Sequence, residues 1–224
     1  MSEYWIAKYR DGHSQSYPWD AVVSFVLRHA PRDRPREAVR ILEVGCGTGA
    51  NLWFAAREGF DVSGLELSED AISAARQRFH DDGLNADLNV GSFESLPFSD
   101  GSFDLVIDRA ALTCADRLGI ERAISEIARV TRAGGRFFMN VYADGHSSAF
   151  SHGAGGSGTV LEPDLGSLAG QGRITFLSKA DIRELLDTSW HIEAMQRVEL
   201  DDQMRPDDGM HTEWRVVALR GGTD

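Results

Sequence analysis

The stretch Leu42-Glu43-Val44-Gly45-Cys46-Gly47-Thr48-Gly49 runs a short apolar segment into three alternating glycines. Arg40 to Val44 is mostly apolar and stops at the first glycine, which predicts a buried strand. The glycines at 45, 47 and 49 leave the turn free of side chains, so a ligand can lie against its backbone. From Thr48 to Arg57 the residues Leu52, Phe54, Ala55 and Ala56 suit a helix, closed by Gly59. Val62 to Leu67 is the next strand. Near its end stands Glu66, about twenty residues beyond the first glycine, where a carboxylate can accept both ribose hydroxyls of a nucleoside held over the turn. Gly45, Gly47 and Ala50 fit the relaxed pattern G-x-G-x-x-G/A, which does not separate a nicotinamide dinucleotide from an adenosylmethionine as the ligand.

Outward from this turn the chain alternates between strand and helix. Ser68 caps a helix whose first turn holds Glu69 and Asp70, opposite the positive end of the helix dipole. Asp87 to Val90 and Phe103 to Asp108 read as strands. Ile120, Ala123, Ile124, Ile127 and Val130 recur at helical spacing, with Gly134-Gly135 as the stop, and Arg136 to Tyr142 follows as a strand. Asp144 to Gly172 is rich in glycine and serine and reads as a long, mobile loop or a lid. Ser178 and Asp181 form a capping box opening a helix from Lys179 to Leu186. Glu193 to Leu200 and Trp214 to Leu219 are two strands joined by the acidic turn Asp201 to Gly209, too short for a crossover helix, so they pair antiparallel at a sheet edge. The expected fold is α/β: a Rossmann-like doubly wound sheet, mostly parallel, with an antiparallel C-terminal strand. One domain covers residues 1–224, with a cover at 1–38, a ligand-binding core at 39–142, and a substrate-side loop, helix and strands at 143–224.

Composition narrows the function. The chain has 224 residues, 42% hydrophobic and 26% charged, as a globular domain does. Its 35 acidic residues against 23 basic ones give a net charge of −12, which opposes binding to phosphate backbones or anionic lipid. No run reaches the apolar length of a membrane span, and Met1 to Trp5 lack the features of a secretory signal. Cys46 and Cys114 read as reduced thiols, so a cytoplasmic location is expected.

Five segments, in order, resemble one family. Glu43-Val44-Gly45-Cys46-Gly47-Thr48-Gly49 is similar to motif I of the class I S-adenosylmethionine-dependent methyltransferases. Gly64-Leu65-Glu66-Leu67-Ser68 resembles their second-strand motif, and Gly91-Ser92-Phe93-Glu94-Ser95-Leu96-Pro97-Phe98 their "GDxxxLPF" segment. Ser99 to Asp108 resembles the "xxxFDxVxx" strand. Glu126-Ile127-Ala128-Arg129-Val130 with Gly134-Gly135 resembles the "ExxRVLKPGG" helix end. Arg40 to Tyr142 carries the likeness, which looks closest to the ubiquinone/menaquinone-biosynthesis-like group acting on small molecules.

The resemblance implies methyl transfer from S-adenosylmethionine, leaving S-adenosylhomocysteine, to an O, N or C nucleophile of a small molecule. It implies backbone contacts to the methionine portion from Gly45, Cys46 and Gly47, a ribose contact from Glu66, and adenine packing on Leu67. Ser92 and Phe93 fall at the adenine edge. Ser92 replaces the family's usual Asp and weakens that hydrogen bond, while Phe93 either stacks there or is a core aromatic. Asp108 either faces the methionine ammonium group or caps the turn before Ala110. Among the N-terminal aromatics, Trp5 and Tyr9 either cover the cofactor as cation–π partners or pack on the sheet. If the acceptor must lose a proton, His146, His152 and Tyr142 are the candidate bases, followed by His13 and His211. No metal-ligand spacing is present, and no metal is expected. The partners expected are a small molecule and at most a second copy, as monomer or homodimer, with no nucleic acid and no membrane. An NAD-dependent oxidoreductase and a non-catalytic adenosylmethionine-binding protein are the alternatives.

Overall fold

The computed structural model describes residues 3–206 and 209–222. Five parallel strands form the heart of the sheet: β1 (Arg40–Val44), β2 (Asp61–Glu66), β3 (Asp87–Val90), β4 (Phe103–Arg109) and β5 (Thr131–Tyr142). Two further pairs complete the strands: β6 (Gly158–Leu161) with β7 (Arg173–Phe176), and β8 (Trp190–Asp201) with β9 (Met210–Arg220). The large sheet runs β3-β2-β1-β4-β5-β9-β8. Strand β9 lies antiparallel between β5 and β8. The expected mostly parallel sheet with an antiparallel C-terminal strand is therefore what forms. Asp207 and Asp208 of the acidic turn lie outside the described residues.

Strand alternation sorts the core into two layers, because successive side chains leave opposite faces. Ile41, Leu105, Ile107 and Phe138 point to one face and meet Phe25 and Val26 of α2 (Asp20–His29), Leu52 of α3 (Ala50–Arg57) and Ile72 of α4 (Glu69–Asp81). Leu42, Val106 and Phe137 point to the other and meet Ile120, Ile124 and Ile127 of α5 (Arg117–Val130) and Ile182 of α6 (Lys179–Leu185). Helix starts follow their caps. Ser68 Oγ accepts from Ala71 N at 3.3 Å, Asp116 Oδ1 from Gly119 N at 2.9 Å, and Ser178 with Asp181 closes a capping box.

Two expectations need correction. Gly134-Gly135 does not stop α5. The helix ends at Val130, where the Thr131 hydroxyl donates to Ile127 O at 2.6 Å, and the glycines instead carry the bulge that shifts the β4–β5 register. Asp144–Gly172 is also not a structureless loop. It holds a 3-10 segment at Ser147–Gly153 and strand β6, and its buried Ala149, Val160 and Leu168 pack with Ile174 and Phe176 of β7 as a small core of its own. The serines there serve as structural acceptors: Ser151 Oγ takes the N–H groups of Asp164 (3.1 Å) and Leu165 (3.2 Å), and Ser148 Oγ takes that of Leu168 (3.2 Å).

Candidate active site at the switch point

The strand order reverses between β1 and β4, and a cleft of about 400 Å³ opens over their C-terminal ends. At one end the glycine turn forms its floor. Gly45 N and Cys46 N both donate to Leu65 O, at 2.7 and 3.0 Å, which binds the turn to β2. Gly45 has φ +67° and Gly47 φ +52°, conformations that favour glycine. Glu66 faces the same space. Its Oε2 accepts from Gly47 N at 3.2 Å, and its Oε1 accepts from Leu67 N and Ser68 N at 2.8 and 3.0 Å. Burial raises its pKa, and these three donors oppose that rise. Leu67 and Phe93 line the cleft beside it, Phe93 with its ring buried.

A roof comes from the N-terminus. In α1 (Glu3–Arg10), Trp5 and Tyr9 stand 5.9 Å apart between ring centroids and line the cleft. A Cβ placed on Gly47 would meet the Tyr9 hydroxyl at 2.5 Å, so the tyrosine closes over the turn. Burial, then the nearby Glu66, pushes that hydroxyl's pKa up. The following segment is tied to the glycine turn and the first turn of α3: Gln15 N donates to Thr48 Oγ1 at 3.2 Å and Trp19 N to Asn51 Oδ1 at 2.9 Å.

Beneath the turn lie two buried carboxyls. Glu43 Oε1 accepts from Asn51 Nδ2 at 2.6 Å, while its Oε2 has no partner. Asp108 Oδ1 accepts from Ala111 N (2.9 Å) and Leu112 N (3.0 Å), capping the turn at Ala110, and its Oδ2 has no partner. Burial lifts the first to about 8 and the second to about 7.

The far end of the cleft is built from the ends of β4, β5 and β9. Arg109 stacks on Trp19 with its guanidinium carbon 3.9 Å from the ring centroid and reaches Glu213 Oε2 at 3.7 Å. Tyr142 and His211 complete this end, with ring centroids 5.7 Å apart. Burial raises the Tyr142 hydroxyl to about 12, so at neutral pH it is a hydrogen-bond donor and not a base. Burial also drives up the thiols of Cys46 and Cys114, the latter to about 11.

Of the ten candidate cofactor residues, eight line this cleft: Gly45, Cys46, Gly47, Glu66, Leu67, Phe93, Trp5 and Tyr9. Ser92 does not; its Oγ turns back to accept from Glu94 N at 3.2 Å. Asp108 sits below the floor. Of the candidate bases Tyr142, His13 and His211 line the cleft, while His146 and His152 do not. His146 is fully buried behind it, with Nδ1 accepting from Ser148 N at 3.0 Å and Nε2 facing His211 Nδ1 at 3.2 Å. His152 is exposed on the insert, held by Glu162 O at 2.9 Å and Asp164 at 3.3 Å. Neither histidine meets the cleft, so neither is placed to take a proton from an acceptor there. Trp19 belongs to the N-terminal aromatics expected to cover the site, whereas Arg109 and Glu213 were not read from the sequence. Their one signal is positional: Arg109 ends a strand whose other end residues bound the cleft, and Glu213 shares a strand face with His211.

Residues 41–135 match the family model described as "Methyltransferase domain". Over these residues the chain is similar to a methyltransferase domain. The malonyl-[acyl-carrier protein] O-methyltransferase of Erwinia pyrifoliae is 36% identical over 124 residues, covering 54% of this chain and 42% of that protein. The fatty-acid O-methyltransferase of Mycolicibacterium smegmatis is 36% identical over 103 residues, 45% of this chain and 36% of that one. The chain thus spans less than half the length of these curated relatives. In fold it is similar to the 1,6-didemethyltoxoflavin N1-methyltransferase of Burkholderia thailandensis, with TM-score 0.71 and 18% identity over 97% of this chain and 85% of that one.

The residues of the cleft fit S-adenosylmethionine, the cofactor that the resemblance implies. The turn offers backbone with no side chain beneath Tyr9, and Glu66 faces the same space. One buried acceptor atom without a partner, Glu43 Oε2, belongs to a residue lining the cleft, as suits a ligand carrying positive charge. An alanine at Gly45 tests the packing of this floor. Its Cβ would stand 2.1 Å from Ala111 Cβ, a contact no side-chain rotation relieves, at a positive φ. The expected loss, read by urea unfolding, is on the order of 3 kcal/mol or more.

Proposed function

We propose that the chain transfers a methyl group from S-adenosylmethionine to a small-molecule acceptor. The observation carrying this reading is that the Gly45–Gly49 turn and Glu66 share one cleft at the switch point of the sheet. Trp5 and Tyr9 roof it, which suits exclusion of water from an in-line displacement. The cofactor would supply a methyl carbon already activated by positive sulfur, so the protein's work is to hold, align and exclude water. No metal is needed for that chemistry. The names of the two curated relatives favour an oxygen acceptor. The net charge of −12 argues against nucleic acid, and among the described residues no helix is long and apolar enough to cross a membrane. We place the protein in the cytoplasm, as a monomer or homodimer.

Calorimetric titration with S-adenosylhomocysteine against NADH tests the cofactor, and tritiated-methyl transfer to fractionated metabolites tests the reaction. Glu66→Ala should weaken S-adenosylhomocysteine binding by roughly 1.5–3 kcal/mol, the usual value of hydrogen bonds to a charged group. NADH binding with no response to S-adenosylhomocysteine would refute the reading in favour of an oxidoreductase. Tight cofactor binding with no transfer to any pool would favour a non-catalytic binding protein.

The insert, through Gln171, and β7, through Ile174, form part of the acceptor wall. Deleting Ser151 to Ser157 removes the Ser151 hydroxyl that fixes Asp164 and Leu165, and should loosen that wall. A raised acceptor KM with S-adenosylhomocysteine affinity retained is the expected pattern. Unchanged KM and unchanged affinity together would show that the insert has no part in the site.

A further inference from the structure

We infer that the acceptor is a carboxylate, that its oxygen is the atom methylated, and that Arg109 and Tyr142 hold it. This rests on the methyltransferase reading above and names the substrate class of the same site. The first observation is an incompletely neutralised cation. Arg109 is 13% exposed in its side chain and meets Glu213 Oε2 at 3.7 Å, longer than a hydrogen bond, while Glu213 Oε1 accepts from Arg215 Nε at 2.7 Å. One carboxylate thus serves two arginines, and Arg109 is the one arginine lining the cleft among the described residues. Trp19 fixes the guanidinium plane from behind, which preorganises its donors for an oxyanion. Tyr142 adds a hydroxyl donor beside it.

The second observation is that no base is free at this end. Ser148 N–H occupies His146 Nδ1, so neutral His146 carries its proton on Nε2 and donates it to His211 Nδ1. The proton of neutral His211 is then on Nε2, which faces Glu213 Oε2 at 3.7 Å. The one lone pair of neutral His211, on Nδ1, faces the His146 N–H at 3.2 Å, and a second proton there would confront that N–H. His13 packs with Trp5 and Tyr9 under the roof at the other end, with centroids 5.8 and 5.7 Å away. Glu66 is engaged by three backbone donors.

An alcohol, phenol or ammonium acceptor must lose a proton, and this end of the cleft has nowhere to put it. A carboxylate arrives ionised. Its oxygen forms the new O–C bond as the S–C bond breaks, the bonding pair stays on sulfur, the two opposite charges cancel, and no proton moves. The carboxylate can belong to a free acid or to an acyl group carried on a protein, and the two are separated by assaying both.

The test supplies tritiated S-adenosylmethionine to the full chain with a metabolite pool and, separately, a macromolecular pool. Products are then treated with mild base, which releases the label of a methyl ester as volatile methanol. The expected result is base-labile label in one of the two pools. Octanoic acid against octanol and octylamine provides a defined comparison, in which label enters the acid alone if any of the three reacts. Arg109→Gln should raise the acceptor KM roughly 30-fold or more, as loss of a desolvated charge partner does, with S-adenosylhomocysteine affinity unchanged. Arg109→Lys should recover part of the loss. Base-stable label would overturn the proposal, as would an unchanged KM in Arg109→Gln. Cofactor binding without label in either pool overturns the acceptor assignment, whereas absence of S-adenosylhomocysteine binding in the unsubstituted protein overturns the methyltransferase reading beneath it.

Discussion

Gly47→Val is expected to reduce S-adenosylhomocysteine affinity by roughly 100-fold or more while the protein still folds, an outcome set by where the new atoms go. Gly47 has φ +52°, and its Cβ would lie 2.5 Å from the Tyr9 hydroxyl and 3.3 Å from Tyr9 Cζ. The obstructing atoms are the far end of a side chain on α1, a helix with no buried residue, so α1 can lift. Lifting it opens the roof, and the valine branches then occupy the space a ligand needs against the backbone. The strain of a β-branched residue at positive φ adds on the order of 1–3 kcal/mol of destabilisation. Gly45→Ala is the contrasting case, since its clash falls on Ala111 and costs stability directly. Titration with S-adenosylhomocysteine and circular dichroism together separate the two. Affinity within threefold of the unsubstituted protein in a folded Gly47→Val would remove the glycine turn from the ligand site.

The glycine-turn half of the cleft was legible because its parts are close in sequence. The apolar run before Gly45, the alternating glycines and Glu66 lie on two consecutive strands, and parallel pairing of β1 with β2 brings them together by rule. The far half is different. Arg109, Tyr142 and His211 meet only because β9 inserts beside β5, setting Tyr142 opposite Glu213 across an antiparallel pair. An edge hairpin predicts such a pair but not which strand of it faces β5, nor the register. The same gap misled the reading of the histidines. His146 follows a strand end, as a cleft residue does, yet the insert's packing turns it behind Tyr142. That packing rests on Val160, Leu168, Ile174 and Phe176, which are spaced too widely among glycines and serines to show any period. The amphipathic α5 was legible, but its last residue was not. A threonine side chain at Thr131 closes the helix, and the glycines after it serve the strand.

Stability should peak in mildly acidic solution, near pH 5, and fall as pH rises toward 8, and Glu43→Gln should remove much of that fall. Burial raises the folded-state pKa of Glu43 from 4.5 to about 8, and that of Asp108 from 3.8 to about 7. A carboxyl with a raised folded pKa binds its proton more tightly in the native state than in the unfolded one. Its favourable contribution is therefore full below the unfolded value and is lost as pH climbs through the folded value. For Glu43 that window runs from 4.5 to about 8. Glu213 sets the opposing limb. Burial works to raise it, but His211, Arg109 and Arg215 outweigh that and pull it to about 2, so its contribution is present above the ordinary carboxyl range and fades as pH falls toward 2. The glutamine of Glu43→Gln keeps an oxygen for Asn51 Nδ2, which now donates to Glu43 Oε1 at 2.6 Å, and carries no charge to bury. The variant should match the unsubstituted protein near pH 4.5 and exceed it by about 5 kcal/mol at pH 8.5, the scale of a shift from 4.5 to about 8. Urea midpoints from pH 4 to 9 measure both curves. Parallel curves for the two proteins would mean that Glu43 is ionised in the folded protein throughout, and that the carboxyl beneath the glycine turn finds a cationic or hydrogen-bonding partner it lacks in this structure.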